Sequence, residues 1–254
     1  MALSIEGRTA LVTGAGRGIG RAVALQLAEA GARVVLVARS IDQLDETAMR
    51  VKEIGGHALV IPTDLGRMEE ITRTVAHANE FFGRIDILIN DAAVVAPLGP
   101  SRNVDPTEWA NALAVNVVAA ATLSFAFLPA MLERNWGRIV NVSSSIAARP
   151  DAMIGMNAYA ASKAALEAHT MNLAAELAGS GVTVNAYRPG SVDTAMQAWI
   201  RAQDPERIGH DLHGWFTASF ASGGLMTPEE SARSMLSHLL SDESGRVWDV
   251  SDQV

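Results

Sequence analysis

Residues 9–38 read TALVTGAGRGIGRAVALQLAEAGARVVLVA and contain three successive patterns. The small, partly β-branched run at Arg8–Thr13 predicts a short strand, and the Val-rich run at Ala32–Val37 predicts a second, buried one. Between them, apolar residues recur every four positions, which predicts a helix, and Gly31 stands where a helix commonly ends. The segment therefore predicts a strand–helix–strand unit with parallel strands.

The turn between the first strand and the helix is rich in glycine and reads Thr13-Gly14-Ala15-Gly16-Arg17-Gly18-Ile19-Gly20. A diphosphate can approach such a backbone closely because no Cβ blocks it, and the start of the next helix offers free N–H groups. Alternatively, the glycines only make the turn tight. The strand before them and the helix after them favour a dinucleotide-binding site.

The same alternation of strands and helices continues along the chain. It predicts one doubly wound parallel sheet of about seven strands, of the Rossmann type, with helices on both faces and a single domain over residues 1–254. Thr227 and Pro228 match the cap and first turn of a late helix. Further strands are predicted at His57–Pro62, Asp86–Asn90, Arg138–Val142, Val182–Tyr187 and Arg246–Val250, and helices at Ile41–Ile54, Met68–Phe82, Thr107 to about Leu128, around Tyr159 to about Ala178, and Thr227–Leu240.

The composition narrows the class of protein. The chain has 254 residues and no cysteine, which excludes disulfides and thiolate metal sites. Its formal net charge of −8 argues against nucleic acid or an anionic membrane as the main partner. No apolar run is expected to reach the ~18–20 residues of a spanning helix, and Met1–Glu6 lacks the features of a signal peptide. We expect a cytoplasmic protein.

Tyr159 and Lys163 are four residues apart, so on a helix they share one face. A phenol normally keeps its proton to about pH 10, and a cation held beside it favours the phenolate and makes acid/base chemistry easier. Taken alone, the spacing is more typical of a solvated helix face.

The segment from about 193 to 226 is predicted to be the longest irregular region. Long loops in compact domains are often lids or binding loops, which would suit a bulky or apolar partner, and a small satellite core is the alternative. His210 and His213 are interpreted as surface residues, and no metal site is expected. The segment is rich in large apolar side chains: Met196, Trp199, Ile200, Leu212, Trp215, Phe216 and Phe220.

Together these patterns resemble the short-chain dehydrogenase/reductase family over nearly the whole chain. Tyr159 and Lys163 match its catalytic pair, and the glycine turn matches its cofactor loop. Asn141-Val142-Ser143-Ser144 matches the strand end that carries its serine. The resemblance implies catalytic roles for Asn116, Ser144, Tyr159 and Lys163, and cofactor contacts by Gly14, Arg17, Gly18, Ile19, Gly20, Asp64, Leu65, Asn90, Tyr159, Lys163, Pro189, Val192 and Thr194.

The resemblance also implies how these residues act. The nicotinamide transfers the hydride, and Tyr159 serves as general acid in carbonyl reduction and as base in alcohol oxidation. Lys163 is expected to lower the proton affinity of the phenol and to hold the nicotinamide ribose. Ser144 would donate a hydrogen bond to the substrate oxygen, and Asn116 would hold a water that links Lys163 to solvent.

Three features depart from the family pattern. Ser144 and Tyr159 are 15 residues apart, about two more than usual, which would alter one wall of the substrate pocket around 150–156; counting back from Tyr159 points nearer Ser145. Asn90-Asp91-Ala92-Ala93 replaces Asn-Asn-Ala-Gly and adds a charge and a Cβ near the cofactor. The C-terminus lacks the frequent Asp-Gly-Gly ending, so subunit contacts of relatives do not transfer directly.

The end of the second strand bears on the choice of cofactor. An acidic residue there would favour NAD, but the chain has Arg39, which can pair a 2′-phosphate, and Arg17 could reach the same group. We therefore expect NADP, with NAD as the alternative.

The sequence thus predicts an NADP-dependent carbonyl reductase or alcohol dehydrogenase, with a ketoacyl-thioester reductase as one specific version. The alternatives are an NAD-dependent alcohol or sugar dehydrogenase and a non-catalytic nucleotide-binding regulator. Small residues on the Tyr159 helix, together with the resemblance, predict a homotetramer, with a dimer second.

Overall fold

The computed structural model describes residues 5–252, and these contain one seven-stranded parallel sheet with the strand order β3-β2-β1-β4-β5-β6-β7. The predicted sheet is confirmed, and most strand boundaries agree to within a residue or two. The strands are β1 (Thr9–Thr13), β2 (Arg33–Ala38), β3 (His57–Pro62), β4 (Ile87–Asn90), β5 (Gly137–Val142), β6 (Val182–Arg188) and β7 (Val247–Asp249).

Helices cover both faces of this sheet. α1, α2 and α10 pack on one face, and α3, α5 and α6 pack on the other. The helices are α1 (Gly18–Glu29), α2 (Ile41–Glu53), α3 (Met68–Phe82), α4 (Pro106–Leu113), α5 (Ala119–Glu133), α6 (Asn157–Glu176), α7 (Ala195–Arg201), α8 (Pro205–Ile208), α9 (His210–Ala221) and α10 (Pro228–Ser237).

The alternation of side chains along each strand feeds the two layers of the core. Val12 and Leu36 belong to the cluster under α1, α2 and α10, whereas Leu11 and Val35 belong to the cluster under α3, α5 and α6. All four are fully buried. Strands buried on both faces explain why β1 and β2 read as continuous apolar runs.

β1 pairs with β2 on one side and with β4 on the other, so the strand order reverses at this point. In open parallel sheets, ligands bind outside the carboxyl ends of the strands where the order reverses. The fold therefore predicts a ligand site at the ends of β1 and β4, where the glycine turn and the Asn90–Ala93 segment lie.

The single long helix predicted at Thr107 to about Leu128 differs in two ways. It is interrupted by one π turn at Ala114–Val118, and α5 continues through Pro129 to Glu133. The whole run Pro106–Glu133 has 28 residues and a mean hydropathy of 1.9 in an 18-residue window, which is long and apolar enough to cross a membrane. The expectation of no such run is therefore wrong, because averaging tolerates isolated polar residues such as Asn116. In the fold, this helix packs against α3, α6 and β5.

The segment from about 193 to 226 is largely helical rather than irregular. It contains α7, α8 and α9, which are short helices whose apolar positions are too few to show a clear period. Ile200, Ile208, Leu212 and Phe216 join a third apolar cluster, so a satellite core does form here.

His210 and His213 lie on α9. His210 Nε2 is 3.0 Å from Glu206 Oε1, and His213 Nε2 is 3.0 Å from the Arg201 carbonyl oxygen. Within residues 5–252, no group of three or more His, Asp or Glu side chains is placed to hold a metal ion.

Candidate active site

A cavity of about 660 Å³ lies outside the carboxyl ends of the central strands. Tyr159 packs against the third apolar cluster and Lys163 interacts with Asp91 beside the glycine turn, so the pair lies between two chemically different ends. The glycine-loop end is lined by Gly14, Gly16, Arg17, Gly18, Ile19, Arg39, Asp64 and Leu65, and the apolar end by Val95, Ile146, Met153, Met156, Met196, Ile200, Trp215 and Phe216.

The glycine turn forms a cradle in which Gly14, Gly16 and Gly18 line the cavity without a Cβ. Gly14 and Gly18 have φ values of +71° and +57°, a region that favours glycine. A Cβ on Gly20 would lie 2.5 Å from the Gly14 carbonyl oxygen and 2.7 Å from Asp91 Oδ2. α1 begins at Gly18 without a side-chain cap, and its first residues Gly18 and Ile19 line the cavity, so free N–H groups of the first turn are available there. These residues fit the diphosphate of a dinucleotide. Gly20 itself is buried and does not line the cavity, so its role is to let the turn pack.

Contacts from α1 and α2 hold this turn in place, and the sequence analysis missed them. Arg21 donates to the Gly16 carbonyl oxygen and to both carboxylate oxygens of Glu46, at 2.9 and 2.8 Å. Thr47 donates to the Ala15 carbonyl oxygen at 3.0 Å. The Arg21 guanidinium lowers the pKa of Glu46. Arg21 follows the glycine motif directly, which is the one signal that could have identified it.

Arg17 and Arg39 both line the cavity and are both exposed. Among residues 5–252, neither forms an ion pair with a carboxylate, so both guanidinium groups are available to an anionic ligand. Asp64 also lines the cavity, where its Oδ1 accepts from the Gly66 N–H at 3.0 Å. This arrangement brings the predicted Arg17, Arg39 and Asp64 together.

Asn90 does not line the cavity, contrary to the expected cofactor contact. It is buried at the end of β4, where its Nδ2 donates to Asn141 Oδ1 at 2.8 Å, so it links β4 to β5. Its neighbour Asp91 takes the place at the cavity wall. The Thr13 hydroxyl fixes this turn by accepting from the Asp91 and Ala92 N–H groups, at 3.0 and 3.1 Å.

The Asp91 carboxyl lies at the back of the glycine turn and interacts electrostatically with Lys163. Burial raises the pKa of Asp91 to about 7, while the Lys163 ammonium and the Gly20 N–H act in the opposite direction. An acid therefore stands close to its titration point where the family pattern has a neutral amide.

Tyr159 and Lys163 lie near the start of α6, as the sequence predicts. Lys163 is buried and donates from Nζ to the Val142 carbonyl oxygen at 2.6 Å; Nζ lies 5.5 Å from the centre of the Tyr159 ring. Burial lowers the pKa of Lys163 to about 8, against the raising effect of Asp91 and Glu167.

The Tyr159 phenol keeps its proton at neutral pH. Burial raises the pKa of Tyr159 to about 12, the Ser144 hydroxyl lowers it, and the charge of Asp91 raises it further. The expected lowering of the phenol pKa by Lys163 is wrong for this structure, because burial outweighs every neighbouring group. A protonated phenol beside a hydroxyl donor is suited to protonate an oxygen atom.

The three serines after β5 have different environments. All three line the cavity, but Ser143 is buried and donates to Glu167 Oε1 at 2.7 Å, whereas Ser144 is half-buried and Ser145 is exposed. Ser144 is the serine whose hydroxyl acts on the Tyr159 phenol. These environments support the choice of Ser144 over Ser145.

Glu167 connects three parts of the site and was not singled out from the sequence. Besides the bond from Ser143, it accepts two hydrogen bonds from Arg188, at 2.9 and 2.8 Å. Arg188 ends β6 directly before Pro189, and Glu167 lies one turn after Lys163. The four-residue spacing from Lys163 was the available signal.

Asn116 lies in the π turn and is buried away from the cavity. Its Oδ1 accepts from the Val94 N–H at 2.8 Å, and its Nδ2 donates to the Val94 carbonyl oxygen at 2.8 Å and to Ser162 Oγ at 2.9 Å. These bonds use both hydrogens of Nδ2 and one lone pair of Oδ1, so they fix the orientation of the amide. Asn116 instead positions the Val94 segment against α6.

The loop after β6 reaches the cavity through Pro189, Val192 and Thr194, as predicted. Thr194 caps α7, and Gln197 in the first turn of α7 also lines the cavity. Among the described residues, the buried Gln197 Oε1 has no hydrogen-bond partner. It is a polar contact point that the sequence analysis did not identify.

Known proteins similar to this chain are short-chain dehydrogenases and reductases. The profile of the family described as short chain dehydrogenase matches residues 8–205. A short chain dehydrogenase from Pseudocercospora fijiensis is 40% identical over 198 residues. The matched part is 76% of this chain and 62% of that relative. The 3-oxoacyl-[acyl-carrier-protein] reductase FabG from Pseudomonas aeruginosa is 37% identical over 76% of this chain and 77% of its own.

A solved structure extends the similarity over the full fold. The crystal structure of a candidate NAD(P)-dependent gluconate 5-dehydrogenase from Beutenbergia cavernae, with NADP bound at low occupancy, covers 98% of this chain and 97% of that chain. Its TM-score is 0.85 at 37% identity. The fold, the glycine cradle and the Ser144–Tyr159–Lys163 group agree with these matches. The chain belongs to the short-chain dehydrogenase/reductase family of NAD(P)-dependent oxidoreductases that act on CH–OH groups.

Proposed function

We propose that the chain transfers a hydride between NADP(H) and a ketone or secondary alcohol, with Tyr159 as general acid and base. The observation that carries this proposal is that Ser144, Tyr159 and Lys163 line the same cavity as the glycine cradle. A ketoacyl-thioester reductase is one version, and the similarity to FabG favours it. The alternative is an NAD-dependent alcohol or sugar dehydrogenase.

Each residue has one role in this proposal. The bound nicotinamide supplies or accepts the hydride. In the reducing direction, Tyr159 gives its proton to the carbonyl oxygen, and Ser144 donates a hydrogen bond to that oxygen as negative charge develops on it. Lys163 orients the site through Val142 and keeps donors free for the cofactor ribose.

NADP is the proposed cofactor because two arginines stand at the glycine-loop end without carboxylate partners among the described residues. Arg17 and Arg39 would hold the 2′-phosphate, since charge-assisted hydrogen bonds to an anion are roughly twice as strong as neutral ones. The NADP in the Beutenbergia cavernae structure supports the same choice.

The test is NADPH oxidation with a panel of ketones, compared between wild type and Tyr159→Phe. We expect a fall in kcat of about 10³-fold or more in Tyr159→Phe, because the proton donor is lost, with the NADPH Kd within about threefold. Cofactor binding without turnover of any carbonyl by the wild type would indicate a non-catalytic nucleotide-binding regulator. A kcat/KM preference for NADH would indicate the NAD-dependent alternative.

We also propose a cytoplasmic homotetramer, with a dimer second. The outer faces of α5 and α6 support self-association because they leave Phe125 56% exposed, in edge-to-face contact with His169, beside the exposed alanines Ala165 and Ala168. Light scattering coupled to size-exclusion chromatography measures the mass, and a monomer would contradict the proposal.

A further inference from the structure

The apolar end of the cavity carries no charged side chain among the described residues that line it. The charged groups of the cavity are Arg17, Arg39 and Asp64 at the glycine-loop end, and the interacting Asp91 and Lys163. A carboxylate bound at the apolar end would therefore find no cation on the surrounding wall, and an unpaired buried charge is strongly disfavoured.

Two helices provide an aromatic and aliphatic wall. Met196 and Ile200 come from α7, and Trp215 and Phe216 come from α9. The Trp215 and Phe216 rings meet edge to face, with centroids 4.8 Å apart. Phe216 is buried in the third cluster, whereas Trp215 is 43% exposed, so the indole forms part of the mouth of the cavity. A flat aromatic ligand group can extend this edge-to-face packing.

The longer loop between Ser144 and Tyr159 supplies further apolar residues of the wall. Met153 and Met156 line the cavity from this loop, which the backbone fixes through a hydrogen bond from the Gly99 N–H to the Gly155 carbonyl oxygen at 2.8 Å. Methionine side chains are flexible and polarisable, and they pack well against aromatic rings. Met153, Met156 and Met196 therefore give a pocket that adapts to bulky apolar shapes.

Few polar groups remain for a substrate with many hydroxyls. Among the polar side chains that line the cavity after β5 and β6, Ser143 donates to Glu167 and Thr194 caps α7, so Ser145, Ser191 and the Gln197 amide remain beside the catalytic Ser144. Each substrate hydroxyl buried without a partner lowers binding by roughly tenfold or more. The wall thus discriminates against polyhydroxylated and charged substrates as well as favouring apolar ones.

We propose that the substrate is an uncharged ketone, or the corresponding secondary alcohol, with at least one bulky, preferably aromatic, apolar group beside the carbonyl carbon. This inference rests on the proposed function. In the reducing direction, the carbonyl carbon gains a hydride from NADPH and the oxygen gains the Tyr159 proton. The C=O π bond is replaced by a C–H and an O–H bond, and NADPH is oxidised to NADP⁺.

A matched set of ketones tests the inference. Methyl 4-acetylbenzoate and 4-acetylbenzoate have nearly the same shape and differ in charge, and 5-ketogluconate adds hydroxyls and a carboxylate. We expect kcat/KM with NADPH to be about 100-fold higher for the ester than for either carboxylate. Equal or better reduction of 5-ketogluconate would overturn the inference while leaving the proposed function intact.

Two tryptophans provide a matched pair of variants. Trp215 lines the cavity, whereas Trp199, equally exposed at 42% on the neighbouring α7, does not line it. We expect Trp215→Ala to raise KM for the ester about tenfold, with kcat changed less than threefold. Trp199→Ala should stay within twofold of wild type in both. Equal effects of the two substitutions would contradict the inference.

A binding measurement separates this inference from the proposed function. In Tyr159→Phe saturated with NADPH, calorimetric titration with methyl 4-acetylbenzoate reports on the pocket without chemistry. Binding that weakens about tenfold on adding Trp215→Ala supports the inference, even in the case that wild type reduces no ketone and the proposed function fails. Absence of ester binding to this complex would overturn it.

Discussion

The two ends of the cavity are built by different physical means. At the glycine-loop end, backbone conformation and hydrogen bonds fix the wall: Gly14 and Gly18 adopt positive φ, and Arg21 and Thr47 hold the loop carbonyls. At the apolar end, packing of short helices fixes the wall, and Phe216 is buried among aliphatic side chains.

This difference explains what each end can tolerate. At Gly14 and Gly20 an added methyl group has no room, because the atoms in contact include main-chain atoms that cannot rotate away. An apolar wall of methionine and aromatic side chains can repack around a change, since side-chain rotamers adjust. We therefore expect substitutions at the glycine-loop end to have the larger effects and to act on the cofactor.

Gly20→Ala should have the largest effect. The new Cβ would lie 2.5 Å from the Gly14 carbonyl oxygen, so the turn must move. We expect NADPH affinity to fall at least 100-fold and the free energy of unfolding to fall by about 1–3 kcal/mol, as measured by calorimetry and thermal unfolding.

The control for Gly20→Ala is Gly214→Ala in α9, at the other end. A Cβ there has nothing within 4 Å, so the substitution should leave NADPH affinity unchanged and raise stability by about 0.5–1 kcal/mol. Similar losses in the two variants would show that the two ends do not differ in rigidity.

Arg39→Ala should have the next largest effect, on the choice of cofactor. Loss of a charge-assisted bond to the 2′-phosphate costs about 1.5–3 kcal/mol, so kcat/KM for NADPH should fall about 10- to 100-fold. The value for NADH, which lacks that phosphate, should change less than about threefold.

Arg102→Ala is a suitable control for Arg39→Ala, because Arg102 is exposed and lies outside the cavity wall. A parallel fall for NADPH and NADH in Arg39→Ala would mean that Arg39 supports the loop rather than the phosphate.

Asp91→Asn should have a smaller effect that depends on pH. The Asp91 pKa is about 7 in the fold and about 4 in the unfolded chain, so the folded state binds more protons between these values. The contribution of Asp91 to the free energy of unfolding of the wild type is therefore fully present below pH 4 and is lost as the pH rises through 7. The neutral amide avoids this loss, so Asp91→Asn should raise the free energy of unfolding by about 1–2 kcal/mol at pH 8, or roughly 2–8 °C in Tm.

At pH 4 to 5 the Tm values of Asp91→Asn and wild type should converge. Thermal unfolding measured from pH 4 to pH 8 checks this convergence. Asp151→Asn, on the exposed loop before Tyr159, serves as the control and should shift Tm by less than 2 °C at both pH values. A destabilised Asp91→Asn at pH 8 would show that the charge contributes more through Lys163 than its burial costs.

The sequence by itself determined the sheet, the glycine cradle and the Tyr159–Lys163 pair. The sheet and the cradle depend on local rules, namely strand periodicity and the need for glycine at positive φ. The four-residue spacing places Tyr159 and Lys163 on one helix face, and the family motifs around them identify the pair. Parallel strands then bring their carboxyl ends to one edge, so Arg39 could be assigned to the cavity from its position after β2, whereas Asp64 and Ser144 were assigned through the family resemblance.

Tertiary structure decided the environments of those residues. Asn90 and Asn116 match the family motifs, yet both are buried and do not line the cavity. Their amides form hydrogen bonds with neighbouring elements, Asn90 with Asn141 on β5 and Asn116 with Ser162 on α6. The raised pKa of Tyr159, near 12, depends on how many apolar groups surround the phenol. No local pattern encodes that number.

The apolar end was the part that only the tertiary structure could define. The sequence showed an aromatic segment, but Trp199 and Phe220 do not line the cavity, whereas Trp215 and Phe216 do. Short helices carry too few residues to establish which face is buried, and their faces are set by the strands and loops against which they pack. The sequence therefore determined where hydride chemistry can occur, and the packing of α7 and α9 decided which molecules can reach it.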